Sequence, residues 1–123
     1  MRWRPNVTVA AVIEDAGRFL LVEEAPGGRP VLNQPAGHLE PHETLVEAVI
    51  REVGEETCRA FTPRALVGIY LYEQAAPAPS YLRFCFCGTA GQVLAGAERD
   101  PAIVAVHWLA PAALDAQGPA PRS

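Results

Sequence analysis

Between residues 43 and 56 the chain carries five glutamates and one arginine: Glu43, Glu47, Arg51, Glu52, Glu55 and Glu56. Carboxylates this dense either make a solvated face or gather oxygen ligands around a hard cation such as Mg²⁺ or Mn²⁺. Their placement bears on the choice. On a helix turning about 100° per residue, with Leu45 at zero, Val46, Ala48, Val49 and Val53 mark out an apolar arc. Glu47 and Arg51 fall on the opposite side. Glu56 and Glu52 fall inside the arc, at roughly 20° and 340°, and Glu55 falls at its edge. Inward carboxylates cost free energy unless they are paired or bound to a cation, and Glu52 and Glu56, four apart, repel each other. A hard cation removes both costs, and Mg²⁺ typically shares its coordination with water and substrate phosphates. The alternative is a helix whose last turn emerges into solvent, with acids opposing the macrodipole by roughly 0.3–1 kcal/mol each. The wheel alone leaves both readings open.

The elements that must position this segment are legible as hydrophobic runs. Residues 6–13 and 18–24 read as strands joined by a turn at Glu14-Asp15-Ala16-Gly17, a hairpin. Residues 25–30, with two Gly and two Pro, read as a loop. Residues 31–37 form a short extended piece. Thr44 followed by Glu47 matches a capping box, so the helix is predicted over residues 44–57, with Pro41 before it and Pro63 beyond its end. Residues 65–73, 81–87 and 102–109 read as further strands, and residues 112–117 as the start of a second helix before Gly118-Pro119-Ala120-Pro121. Strands before and after one strong helix imply a mixed α/β or α+β domain.

Composition bounds the function. The 123 residues suggest one domain, and half of them are apolar, enough for a modest core. A formal net charge of −4 argues against binding a nucleic-acid polymer, which needs a basic surface, but not against a small phosphorylated substrate, since a bound cation reverses the local sign. No apolar run is long enough for a membrane span, and the N-terminus lacks the pattern of a signal peptide, so a cytoplasmic protein is expected. The three cysteines, Cys58, Cys85 and Cys87, make no disulfide framework. Cys85 and Cys87 should share one face of a strand as buried thiols. Oligomeric state has no signature here.

The spacing Gly37, five residues, Glu43, seven residues, Arg51-Glu52-Val53, one residue, Glu55-Glu56 resembles the Nudix box. The box continues with Gly and an aliphatic residue one position further on, where this chain has Cys58 and Arg59. That departure falls at the helix exit, where Gly normally supplies a left-handed turn, and it removes no ligand. The resemblance covers most of residues 5–110. Pro5-Asn6-Val7-Thr8-Val9-Ala10, Asn33-Gln34-Pro35-Ala36-Gly37-His38-Leu39-Glu40, Leu82-Arg83-Phe84 and the acidic loop before His107-Trp108 are similar to the NudJ-type phosphatase branch. NudJ-type proteins continue into a longer C-terminal helical region, so a single domain over residues 1–123 with a shortened C-terminal helix is expected.

The resemblance implies an α/β/α sandwich around a central mixed sheet and an Mg²⁺-dependent (or Mn²⁺-dependent) pyrophosphohydrolase in which water attacks phosphorus. It implies Glu52 and Glu56 as main metal ligands. Glu55 would be a further ligand, or the group that orients or deprotonates water. The Gly37 carbonyl would complete the shell, and Glu43 and Arg51 would support the helix and its approach loop. Implied substrates are nucleoside di- and triphosphates or a similar small pyrophosphate such as hydroxymethylpyrimidine pyrophosphate. ADP-ribose, nucleotide sugars, dinucleoside polyphosphates and oxidised nucleotides are alternatives, as is a Nudix-fold binding module with little turnover. Around this core, Glu98 and Asp100 read as an ordinary acidic loop or a further acid, and Arg83 as an outward strand residue or a phosphate contact. His38 and His42 read as surface residues, and Tyr70, Tyr72, Tyr81 and Trp108 as core or sheet surface.

Overall fold

The computed structural model describes residues 2–116. Strand β1 (Asn6–Asp15) turns back through Ala16 and Gly17 into β2 (Arg18–Glu24), the expected hairpin. β3 (Val31–Asn33) and β4 (Ala36–His38) follow, then helix α1 (Leu45–Thr57), the long strands β5 (Arg59–Tyr72) and β6 (Tyr81–Val93), β7 (Ile103–Leu109) and a short α2 (Pro111–Ala116). The last position of the expected second helix, Gln117, lies outside the described residues, as does the run at 118–121.

The strands form a mixed sheet with two wings that share the β1–β2 hairpin. In one wing β1 pairs antiparallel with β4 and parallel with β6, and β6 pairs antiparallel with β5. In the other, β2 lies between β3 and β7, antiparallel to both. The expected mixed α/β class is the one observed. Helix α1 packs across β1, β4 and β5. Its Ala48, Val49 and Val53 meet Val9, Ala11 and Ile13 of β1, with Leu20, Phe61 and Phe86, in one buried cluster. Alternation along β1 therefore gives the odd-numbered residues to this core and the even-numbered ones to the opposite face.

Several boundaries differ from expectation for physical reasons. The extended piece at 31–37 is two strands in different wings, because Gln34 and the buried Pro35 carry the chain across; the Pro35 carbonyl accepts from Ala11 N–H at 2.9 Å. β5 begins directly after the helix and runs through Pro63. It is an edge strand paired only with β6, where a residue without an N–H is tolerated, and its register shifts on both sides of that proline. β6 extends past the predicted end through Gly88, where a side chain would collide with the Thr62 carbonyl and the Phe61 ring. Val46, placed in the apolar arc by the wheel, is 44% exposed, because α1 buries a narrower stripe than the arc allows.

Candidate active site

The approach to α1 is fixed before any ligand is considered. Thr44 caps the helix: its Oγ1 accepts from Glu47 N–H (3.1 Å), and the Glu47 carboxylate accepts from Thr44 N–H (2.8 Å). Such a cap contributes about 1 kcal/mol. One residue earlier, Glu43 Oε1 accepts from Glu40 N–H at 2.8 Å, which ties down the turn after β4.

Arg51 is the hub. Its Nε and Nη2 donate to the two oxygens of Glu43 at 3.0 and 2.7 Å, a two-pronged charge-assisted pair. Nη2 also donates to the His38 carbonyl at 2.9 Å, while Nη1 donates to Glu52 (2.7 Å) and Glu55 (3.1 Å). One guanidinium thus ties the helix to strand β4 and its loop, and draws two carboxylates to one side. The Arg51 hydrogen bond holds Glu43 below the usual carboxylate range, and Glu43 in turn raises Arg51 above its ordinary value.

The last turn of α1 does not emerge into solvent as a unit. Glu56 is only 8% exposed, and its Oε1 accepts from Ala36 N–H of β4 at 3.0 Å. Burial pushes its carboxyl up to about 8, against the lowering effect of that N–H, with Glu52, Glu24 and Asp100 adding like charge. Glu52 is pushed up by burial, opposed by Arg51. The Glu52 carboxylate sits directly against Gly37, where a methyl group would overlap it. Gly37 is therefore required for close approach of the helix carboxylate to β4, not for its backbone angles. Glu55, with 49% of its side chain exposed, is the outer member.

The structure thus brings Gly37, Glu43, Arg51, Glu52, Glu55 and Glu56 to the junction of α1 and β4. As the side chains stand, no group of three His, Cys, Asp or Glu among the described residues converges closely enough to hold a metal ion. Glu52 and Glu55 turn to Arg51, and Glu56 to the backbone of β4.

The helix exit keeps the geometry that a glycine would give. Cys58 adopts the left-handed conformation (φ 58°, ψ 29°), and its N–H donates to the Gly54 carbonyl at 2.9 Å. The acidic loop anchors here: Asp100 N–H donates to the Glu55 carbonyl at 2.8 Å, and Leu94 N–H to the Cys58 carbonyl at 2.8 Å. Asp100 is near enough to raise Glu52 and Glu56, whereas Glu98 is exposed. The two acids of this loop therefore separate, with Asp100 belonging to the carboxylate cluster.

Beside the carboxylates lies an open cleft of about 320 Å³. Glu56, Gly37 and His38 form one wall, Glu24, Asn33 and Gln34 another, and Thr8, Arg83, Tyr72 and Tyr81 the rest. Arg83 is not an outward strand residue: it is 6% exposed. It is the register partner of Thr8 on β1, an even-numbered residue facing away from α1. Tyr72 and Tyr81 are register partners at the open end of the β5–β6 ladder. Trp108 packs on the core instead, and Tyr70 is exposed. His107 pairs with Glu23 at 2.8 Å, which leaves the neighbouring Glu24 for the cleft. Cys85 is buried and Cys87 half-buried; both are free thiols. Thr8, Asn33 and Gln34 fall in runs that resemble the NudJ-type branch, but nothing in the sequence marks them or Glu24 as cleft residues. Only the meeting of the two wings brings them together.

With this geometry in place, the comparisons with known proteins agree on one family. The NUDIX domain model matches residues 2–123. The chain is 39% identical to phosphatase NudJ of Escherichia coli K12 over 107 residues, covering 87% of this chain and 69% of that one. A Nudix hydrolase structure from Nitrosomonas europaea superimposes with a TM-score of 0.90 at 45% identity, covering 98% of this chain and 82% of that one. An ADP-ribose pyrophosphatase from Streptococcus suis, at 20% identity and TM-score 0.67 over 87% of this chain and 75% of its own, shares the fold. The chain belongs to the Nudix family. It is a Nudix hydrolase with phosphatase relatives, an enzyme class whose substrates are small and phosphorylated. Among the described residues, no helix is long and apolar enough to cross a membrane.

Proposed function

We propose that this single Nudix domain hydrolyses the phosphoanhydride bond of a nucleoside di- or triphosphate, or of a similar small organic pyrophosphate such as hydroxymethylpyrimidine pyrophosphate. The reaction uses Mg²⁺, which Mn²⁺ can replace. The observation that carries this reading is Glu56, a carboxylate buried against β4 and facing the cleft with no cationic side chain bonded to it among the described residues.

Glu56, Glu52, Glu55 and the Gly37 carbonyl are an all-oxygen donor set, which suits a hard cation. The overlap that any side chain at Gly37 would make with Glu52 supports the fit. So does the burial that holds Glu52 and Glu56 above their ordinary range, since a cation offsets that cost. When bound, the divalent cation supplies charge neutralisation on phosphoryl oxygens and activates water.

The chain's own residues do the rest. Arg51, held by both oxygens of Glu43, holds the Glu52 and Glu55 carboxylates together on one side of the helix. Glu55, the most exposed of the three acids, is a further ligand or the group that orients an attacking water and takes its proton. The cleft volume lies at the small end of ligand sites, about 300–1,000 Å³, and favours a compact substrate. The named activity of the NudJ relative supports the phosphatase side of the reading.

The test is a substrate panel with and without Mg²⁺: nucleoside di- and triphosphates, hydroxymethylpyrimidine pyrophosphate, ADP-ribose and nucleotide sugars, with phosphate and pyrophosphate release measured separately. Mg²⁺-dependent turnover of the first three classes is expected. Turnover of ADP-ribose or nucleotide sugars alone overturns the substrate class, and no turnover by folded protein favours a binding module.

A further inference from the structure

We propose that Arg83, with Thr8, is the anion-binding side of the cleft and takes the terminal, doubly charged phosphoryl group of the substrate. The chain then selects pyrophosphates that carry one organic group over diphosphates esterified at both ends. This rests on the hydrolase reading above and assigns the residues that set its substrate class.

Two buried side-chain polar atoms among the described residues have no hydrogen-bond partner: Arg83 Nη2 and Thr8 Oγ1. They belong to register partners on adjacent parallel strands, and both residues line the cleft. An orphaned buried donor costs its full desolvation penalty. Two such atoms, on register partners that both line the cleft, mark a ligand that completes them. Burial lowers Arg83 from its ordinary value, and no carboxylate among the described residues pairs with it directly. Glu56 acts on it only through space and is already bonded to β4.

The missing partner is therefore an anion with several acceptor oxygens, which a guanidinium recognises with two donors at once. A terminal phosphoryl group carries about −1.5 to −2 charge near neutral pH, whereas a phosphoryl esterified on both sides carries about −1. The desolvated cation discriminates most strongly for the larger charge. Geometry points the same way. The buried side of the cleft is Thr8, Arg83 and Glu56, and its open side includes Tyr72, 45% exposed. A terminal phosphoryl group fits the closed side, and the single organic group extends past the tyrosines.

Two measurements on Arg83→Gln, Arg83→Lys and Thr8→Val test this. The first is calorimetric titration of inorganic pyrophosphate into protein supplied with Ca²⁺. The expected result is binding by the unaltered protein, weakened about tenfold or more in Arg83→Gln and several-fold in Thr8→Val, with Arg83→Lys between. The second is kcat/KM with Mg²⁺ for a nucleoside diphosphate and for ADP-ribose. Arg83→Gln is expected to cut the first about fiftyfold and the second less than about threefold. Equal losses on both substrates, or unchanged pyrophosphate binding in Arg83→Gln, overturn the proposal. If Arg83→Gln does not fold, Thr8→Val and Arg83→Lys decide: unchanged binding in both overturns it. If the unaltered protein turns over nothing, the hydrolase reading fails, and the pyrophosphate titration by itself still decides the subsite.

Discussion

The two ends of helix α1 are built to opposite standards. Its first turns carry a reciprocal Thr44–Glu47 cap and bury Ala48 and Val49 completely. Its last turn buries Glu56, crowds Glu52 against Gly37, has no basic residue to meet the macrodipole, and exits through a cysteine in the left-handed conformation. The first end is optimised for folding. The second accumulates costs that the proposed cation would offset, which is how functional sites commonly depart from local rules. Arg51 joins the two by linking Glu43, ahead of the cap, to Glu52 and Glu55.

Substitutions at the two ends should therefore move different observables. The largest expected effect is on turnover. Glu56→Gln removes the charge of a proposed metal ligand and should lower kcat/KM at least about a hundredfold in a folded protein. Near-normal activity would remove Glu56 from the site and break the contrast.

The same substitution should act in the opposite direction on stability. Burial pushes the Glu56 carboxyl up to about 8, from an ordinary value of 4.5. The folded state then holds more protons than the unfolded state between those values, so stability falls as pH rises from about 4.5 to about 8. In chelator-treated protein at pH 8, Glu56→Gln should melt several degrees higher than the unaltered chain, and the difference should vanish near pH 4. A variant that melts lower at pH 8 would mean that the carboxylate stabilises the fold without metal.

At the other end, Thr44→Ala should cost about 1 kcal/mol of stability and leave kcat/KM within about twofold. Denaturant melts paired with the standard assay will show whether the cap is purely structural. The smallest effect is expected at Cys58→Gly, which relieves a left-handed residue and should stabilise by roughly 0.5–1 kcal/mol after the extra unfolded-state entropy of glycine is counted. A loss of stability there would show that the contact Cys58 Sγ makes with the Ala97 carbonyl, at 3.8 Å, outweighs the backbone strain.

Much of this was legible along the chain because it is periodic or local. The hairpin, the cap at Thr44, the helix and the inward drift of Glu52 and Glu56 all follow from residue spacing, since a helix repeats its face every few residues and a strand alternates. The wheel could not choose between a solvated turn and a buried one; the 3.0 Å bond from Ala36 to Glu56 did. The two strands within 31–37, the passage of β5 through Pro63 and the cleft residues Glu24, Asn33, Gln34, Thr8 and Arg83 were not legible. Each depends on which strand lies next to which, and that choice is set by side chains distant in the sequence. The sequence by itself determined the carboxylate spacing, the glycine at 37 and the family. Tertiary structure alone decided that Arg83 lies buried beside Thr8, because parallel pairing of β6 with β1 brings together residues seventy-five positions apart.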